Sequence, residues 1–169
     1  KKIKSDASRK DSLFALNSDG SLKWKYALTG GEEVRSTPVV ASDSICFLAD
    51  YRTSSTTKGH TNLICLHEDG GALSFEKEIS NNSTMHELGL SKVIIKDNKV
   101  FALMKYLYVF DLATGAQLHQ SEQLQTEDEY INPVVLADEI LFVLRQTLYR
   151  FSMNDHSMSS VAINTSSTA

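Results

Sequence analysis

The residues best suited to chemistry in this chain are five histidines and two cysteines. His60, His67, His86, His119 and His156 never stand at the i, i+4 spacing that sets two imidazoles on one helical face for zinc, and none lies in a cysteine-rich context. Cys46 and Cys65 are too few for a four-cysteine metal site or a disulfide-dense scaffold. They sit on neighbouring apolar runs, so their side chains can meet across a strand pair. The favoured reading is two buried thiols packing as small hydrophobes, because bridges between adjacent strands strain disulfide geometry. No Gly-x-Ser-x-Gly elbow exposes a serine nucleophile, and serines are so frequent in the turns that a Ser-His-Asp order carries no weight. No acidic run has a calcium-loop pattern. No catalytic residue, cofactor-binding residue or metal ligand is therefore assigned, and the expectation leans away from an enzyme.

Composition narrows the classes further. Seventeen basic against twenty-one acidic residues give a net charge of −4, the wrong sign for a surface that must neutralise phosphates, so no nucleic-acid partner is expected. The basic cluster Lys1, Lys2, Lys4, Arg9 and Lys10 is interrupted by Asp6 and Asp11. Hydrophobic residues at 41% and charged residues at 22% match a folded globular chain rather than a coiled coil or a disordered one. No apolar run approaches the ~18 residues of a membrane-spanning helix, and no charged start leads into a signal-like apolar stretch.

What would position any functional group is an internal repeat. Leu13-Phe14-Ala15-Leu16 leads to Asp19-Gly20 and Trp24; Leu63-Ile64-Cys65-Leu66 leads to Asp69-Gly70-Gly71 and Phe75; Leu107-Tyr108-Val109-Phe110 leads to Asp111, Thr114-Gly115 and His119. Each ring stands four residues after its glycine. A fourth copy, Leu148-Tyr149-Arg150-Phe151, is followed by Asn154-Asp155-His156 and Ser160, keeping the strand while losing glycine and ring. With Gly20, Gly71, Gly115 and His156 equivalent, the spacings are 51, 44 and 41, in the range of a four-stranded propeller blade of roughly 40–50 residues.

Paired runs precede each core: Ser36-Thr37-Pro38-Val39-Val40 before Ile45-Cys46-Phe47-Leu48, Lys92-Val93-Ile94-Ile95 before Val100-Phe101-Ala102-Leu103, and Asn132-Pro133-Val134-Val135-Leu136 before Ile140-Leu141-Phe142-Val143-Leu144. Ser42-Asp43-Ser44, Lys96-Asp97-Asn98-Lys99 and Ala137-Asp138-Glu139 read as polar hairpin tips. Both prolines open a run, where a missing backbone donor does least harm. The expected fold is all-β: a β-propeller segment of about three and a half four-stranded antiparallel blades, with sheets stacked face to face. Residues 1–169 form a single partial propeller domain, with blade units at about 1–27, 34–79, 88–122 and 130–163. Residues 1–5 fall within a strand on this alignment, so the chain is expected to be one part of a larger ring.

At Leu13-Phe14-Ala15-Leu16-Asn17-Ser18-Asp19-Gly20-Ser21-Leu22-Lys23-Trp24, and again at Tyr108-Val109-Phe110-Asp111-Leu112-Ala113-Thr114-Gly115, the chain resembles the pyrroloquinoline-quinone-like propeller repeat of the quinoproteins. The resemblance covers most of residues 12–160. It implies a third strand ending in an acid such as Asp111, a turn glycine at Gly20, Gly71 and Gly115, and a ring docked on the neighbouring blade at Trp24 and Phe75; His119 and Ser160 depart from that ring. The glycine has its own physical reason, a tight turn of positive φ. Enzymes of this kind hold a quinone over a tryptophan floor near adjacent cysteines, with calcium bound by carboxylate and amide oxygens. The single Trp, in the docking place, and the separated cysteines match none of that, so no cofactor is expected. Non-enzymatic relatives of that repeat include the propeller lipoprotein of the bacterial outer-membrane protein assembly machine, which is similar in repeat grammar and serves by binding partners.

Loops on a rigid scaffold are where binding concentrates. Three are candidates: 52–61, 81–88 and the acidic stretch 122–130, whose Glu127, Asp128 and Glu129 form a negative patch able to steer a basic partner. Asn81-Asn82-Ser83, Asn82-Ser83-Thr84 and Asn164-Thr165-Ser166 fit the glycosylation pattern. The expected function is a non-catalytic scaffold for protein–protein interaction, within a larger cell-envelope assembly. The alternatives are a fragment of a quinone-dependent oxidoreductase and a small-ligand sensor. Expected partners are other protein chains or the rest of its own propeller, and the resemblance points outside the cytoplasm.

Overall fold

Runs such as Ile45-Cys46-Phe47-Leu48 and Leu63-Ile64-Cys65-Leu66 are apolar at consecutive positions, which suits a strand covered on both faces. In the computed structural model, which describes residues 11–29, 32–51, 59–83, 92–124, 133–144 and 146–163, both runs are inner strands of a stacked sheet. The first sheet is the hairpin β1 (Ser12–Leu16) and β2 (Leu22–Ala27). The second holds β3 (Glu32–Val34), β4 (Val39–Ala41), β5 (Ser44–Tyr51), β6 (Gly59–His67) and β7 (Leu73–Ser83), with β3 and β4 lying one after the other along β5. The third runs β8 (Lys92–Lys96), β9 (Lys99–Leu103), β10 (Leu107–Asp111), β11 (Gln117–Gln120). The fourth runs β12 (Val134–Val135), β13 (Glu139–Leu144), β14 (Thr147–Ser152), β15 (Met158–Ala162). All pairings are antiparallel meanders, and the described residues contain no helix. This is the all-β propeller segment that the repeat predicts.

Three apolar layers join successive sheets. Phe47, Ile64 and Leu66 meet Trp24 and Leu28 of the first sheet's side, while the alternate residues Leu48, Leu63 and Phe75 meet Val100, Ala102 and Phe110 of the third. Phe101, Leu103 and Val109 then meet Ile140, Phe142 and Phe151 of the fourth. The outward faces of the first and last sheets carry exposed apolar residues, among them Phe14 and Leu16 at one end and Val134, Val143 and Val161 at the other.

Two hairpins close on pairs with positive φ at both central residues, Ser42-Asp43 and Asp97-Asn98, the geometry whose twist matches that of the strands. Pro38 and Pro133 sit just before β4 and β12. The second sheet is longer than its apolar runs suggest. β6 begins at Gly59 and β7 continues to Ser83, so the ends of the loops expected at 52–61 and 81–88 are strand. Polar Asp50, Thr61 and Asn62 extend β5 and β6 beyond the apolar core and are themselves buried.

The cysteines require a correction. Cys46 and Cys65 are directly opposite in the β5–β6 register, with Cα atoms 4.2 Å apart, and they form a disulfide. The expected separate thiols are not there. The spacing is that of a non-hydrogen-bonded antiparallel pair, where facing side chains approach most closely, so register brings the sulfurs together. The link closes a separation of 19 residues and is worth about 3 kcal/mol through loop closure. A Cys46→Ala/Cys65→Ala chain should melt about 6–12 °C below the parent in a thermal scan. An unchanged midpoint would show the link to be energetically idle.

Candidate functional site

The repeat residues come together at the junctions between sheets. Trp24 is 8% exposed and its Nε1 donates to the Glu68 carbonyl at 2.8 Å, across to the second sheet. Its ring lies on Gly71, where a Cβ would stand 2.6 Å from indole carbons. Phe75 repeats the arrangement on Gly115, where a Cβ would stand 2.7 Å from the ring. Gly20, Gly71 and Gly115 have φ of +84°, +66° and +67°. Asp111 closes its turn by accepting from the Thr114 amide at 2.8 Å and hydroxyl at 2.7 Å, and the Thr114 hydroxyl bond, with the amide second, holds its carboxyl below the usual range. Asp19–Ser21 and Asp155–Ser157 make related turn bonds. Lysines add ties from sheet to sheet at this end: Lys23 Nζ to Glu68, Lys96 Nζ to Leu136 and Ala137, and Lys99 Nζ to Met153, all donating to carbonyls.

His119, which departs from the docking ring, occupies the docking place all the same. Its ring lies 5.1 Å from that of His156 and 5.9 Å from that of Phe151. His156 takes the turn position with φ +59°, as the glycines do, and its buried Nε2 has no hydrogen-bond partner. Burial, then the neighbouring His119 and Lys99, push the His156 imidazole below its ordinary pKa, against a smaller opposite pull from Asp155. A base held neutral in the fold contributes stability that is full above about pH 6.5 and is lost as pH falls through that value toward its folded pKa. The urea midpoint should therefore drop between pH 7.5 and 5.5, and His156→Gly, which suits the positive φ, should drop less. Equal drops would remove His156 as the cause.

A second cluster lies at the opposite end of the second sheet, from which the connections 52–58 and 84–91 leave. The pleat sends alternate residues of β3, β5 and β6 to opposite faces. On the face toward the third sheet, Arg35 bonds Asp50 Oδ2 through Nε at 3.1 Å and pairs with Glu33, while the Thr61 hydroxyl donates to Asp50 Oδ1 at 2.8 Å. On the face toward the first sheet, Asn62 Nδ2 donates to Glu32 Oε1 at 2.9 Å and to Glu76 Oε1 at 2.5 Å. Glu32 is 4% exposed, and burial followed by the charge of Glu76 raises its carboxyl above the usual range. Burial and then Glu76 and Glu32 raise the Tyr26 phenol likewise. The Tyr51 and His60 rings stack nearby, 4.9 Å apart. Polar residues continuing an apolar run, Asp50 after Ala49 and Asn62 before Leu63, are the signal that marks this cluster in the sequence.

Glu127, Asp128 and Glu129 lie outside the described residues, as do the basic cluster at residues 1–10, most of the loop 52–61 and residues 84–88. Among the described residues no group of three or more His, Cys, Asp or Glu could hold a metal ion. The described residues do not fit a quinone holder either: Trp24 is buried against Gly71, and the cysteines are an interior cross-strand disulfide. No helix among them is long and apolar enough to cross a membrane.

Stacked antiparallel sheets, joined by Trp24 and Phe75 on turn glycines and by His119 on His156, define a β-propeller segment. The chain shares this fold with propellers among solved structures. It is similar to BamB from Moraxella catarrhalis, with TM-score 0.65 and 16% identity over 89% of this chain and 46% of that one. It is similar to the quinohemoprotein alcohol dehydrogenase from Comamonas testosteroni, with TM-score 0.63 and 9% identity over 89% and 32%, and to the computationally designed Ika8 protein, with TM-score 0.60 and 12% identity over 85% and 41%. The chain thus spans less than half the length of each. No protein-family model matches it, and no curated protein does.

Proposed function

We propose that this chain is part of a non-catalytic propeller scaffold that presents its loop end to protein partners, within an assembly outside the cytoplasm. The observation that carries this reading is the division of the sheets into two ends. The tight turns at one end are occupied with joining sheet to sheet through Trp24, Phe75, His119 and the three lysines. The other end sends out the connections 52–58, 84–91 and 121–133 and carries the polar cluster of the second sheet. Glu127, Asp128 and Glu129 fall in one of those connections and are part of the proposed surface. The buried Cys46–Cys65 disulfide supports an oxidising compartment. The exposed apolar outward faces are proposed to stack on further blades of the same ring.

Photo-crosslinking residues placed one at a time at His60 and Gln123 on the loop end, and at Asn17 and Asp97 on the turn end, test the reading in the full-length protein. Discrete protein adducts confined to the loop end are expected. Adducts only at the turn end would overturn it, as would dye-linked alcohol or sugar oxidation by the full-length protein supplied with quinone and calcium.

A further inference from the structure

The two faces of the second sheet carry matching sets of acids at the loop end, and among the described residues only one set is paired with an arginine or a lysine. On one face the carboxylates of Glu33 and Asp50 are satisfied by the Arg35 guanidinium and the Thr61 hydroxyl. On the other, Glu32 and Glu76 share the amide of Asn62, and among the described residues no lysine or arginine pairs with either. Asn62 is itself 6% exposed, and once its nitrogen has served both carboxylates its Oδ1 is buried without a partner. A buried acceptor left unmade is unfavourable, so such atoms call for a donor. One amide therefore faces two carboxylates, with more acceptor capacity than the fold fills.

The surroundings select the kind of donor. A bare metal ion between the two carboxylates would displace the Asn62 nitrogen that now joins them, whereas an organic cation adds N–H donors beside it. A planar guanidinium matches carboxylates in pairs and stacks on flat rings, and Tyr51 and His60 supply a stacked, partly exposed pair beside the acids. Glu76 is exposed, so the cluster is reachable from solvent.

We propose that Glu32, Asn62 and Glu76 form a receptor for the guanidinium of an arginine side chain on a protein partner. The site lies between the first and second sheets and does for an incoming arginine what Glu33 and Asp50 do for Arg35. This rests on the scaffold reading and gives it a partner chemistry.

The test uses the full chain with 15N labelling, titrated with the blocked tripeptide acetyl-Gly-Arg-Gly-amide and with its citrulline counterpart, which keeps the shape and lacks the charge. The Asn62 side-chain amide resonance should shift saturably with the arginine peptide and stay put with citrulline. Glu32→Gln and Glu76→Gln should each weaken the arginine response about tenfold or more, the loss of one charge-assisted pair. Glu139→Gln, which removes a carboxylate paired with Arg150 on the fourth sheet, should leave it unchanged. Glu76 is exposed, so its variant keeps the test open if Glu32→Gln fails to fold. Equal shifts with citrulline, unaltered affinity in both variants, or saturation by calcium alone would each overturn the proposal. A crosslinked partner held as tightly by Glu76→Gln as by the parent would remove this site and leave the scaffold reading standing. Arginine binding with no protein partner would remove the scaffold reading, and with it the protein source of the arginine.

Discussion

Trp24→Ala should lower the unfolding free energy by about 3–5 kcal/mol, the range for truncating a buried aromatic. In a thermal scan that corresponds to a midpoint about 6–20 °C lower. The indole is the ring that joins the first sheet to the second, and its loss opens a cavity against Gly71 while leaving the Glu68 carbonyl with the longer Lys23 bond alone, at 3.3 Å. Ser18→Ala is the control. It changes the same hairpin at an exposed position in the turn between β1 and β2. Surface changes of that kind stay within about 0.5 kcal/mol. If the two variants melt together, Trp24 does not dock the sheets.

The second large effect comes from the other side of the same contact. Gly71→Ala should destabilise by the ~1–2 kcal/mol of forcing an L-residue into positive φ plus ~1–3 kcal/mol of overpacking, because the new Cβ would stand 2.6 Å from the indole. Gly20→Ala has the same backbone handicap, at φ +84°, but nothing lies within 4 Å of its Cβ. It should show the first contribution alone. The difference in urea midpoint between the two variants isolates the docking contact from the turn. Combining Gly71→Ala with Trp24→Ala should then give less than the sum of the two, since the clash has gone. Strict additivity would mean that ring and glycine do not touch.

The all-β class, the repeat and the turn positions were legible along the chain because each rests on local chemistry. Runs of β-branched and aromatic residues make strands, the Ser-Asp and Asp-Asn pairs make two-residue turns, and a glycine four residues before a ring marks a left-handed backbone; none of these needs a distant partner. The disulfide was not legible, because it depends on the register of β5 against β6, a relation between residues 19 apart that composition does not express. His119 shows the same limit. As a residue type it breaks the ring pattern, yet its place on β11 brings it onto His156 just as Trp24 meets Gly71.

The acid cluster is the furthest from sequence. Glu32, Asn62 and Glu76 come from three strands spread over more than forty positions, and in one dimension they are ordinary polar residues. Folding places β3, β6 and β7 in one sheet, and the pleat decides which of their side chains share a face. The sequence by itself determined the local geometry of this protein: strand, turn, spacing and the identity of the rings. Tertiary structure alone decided which acids became neighbours, which sulfurs joined and which acceptor was buried without a partner, because burial and pairing arise only when sheets close on one another and exclude water.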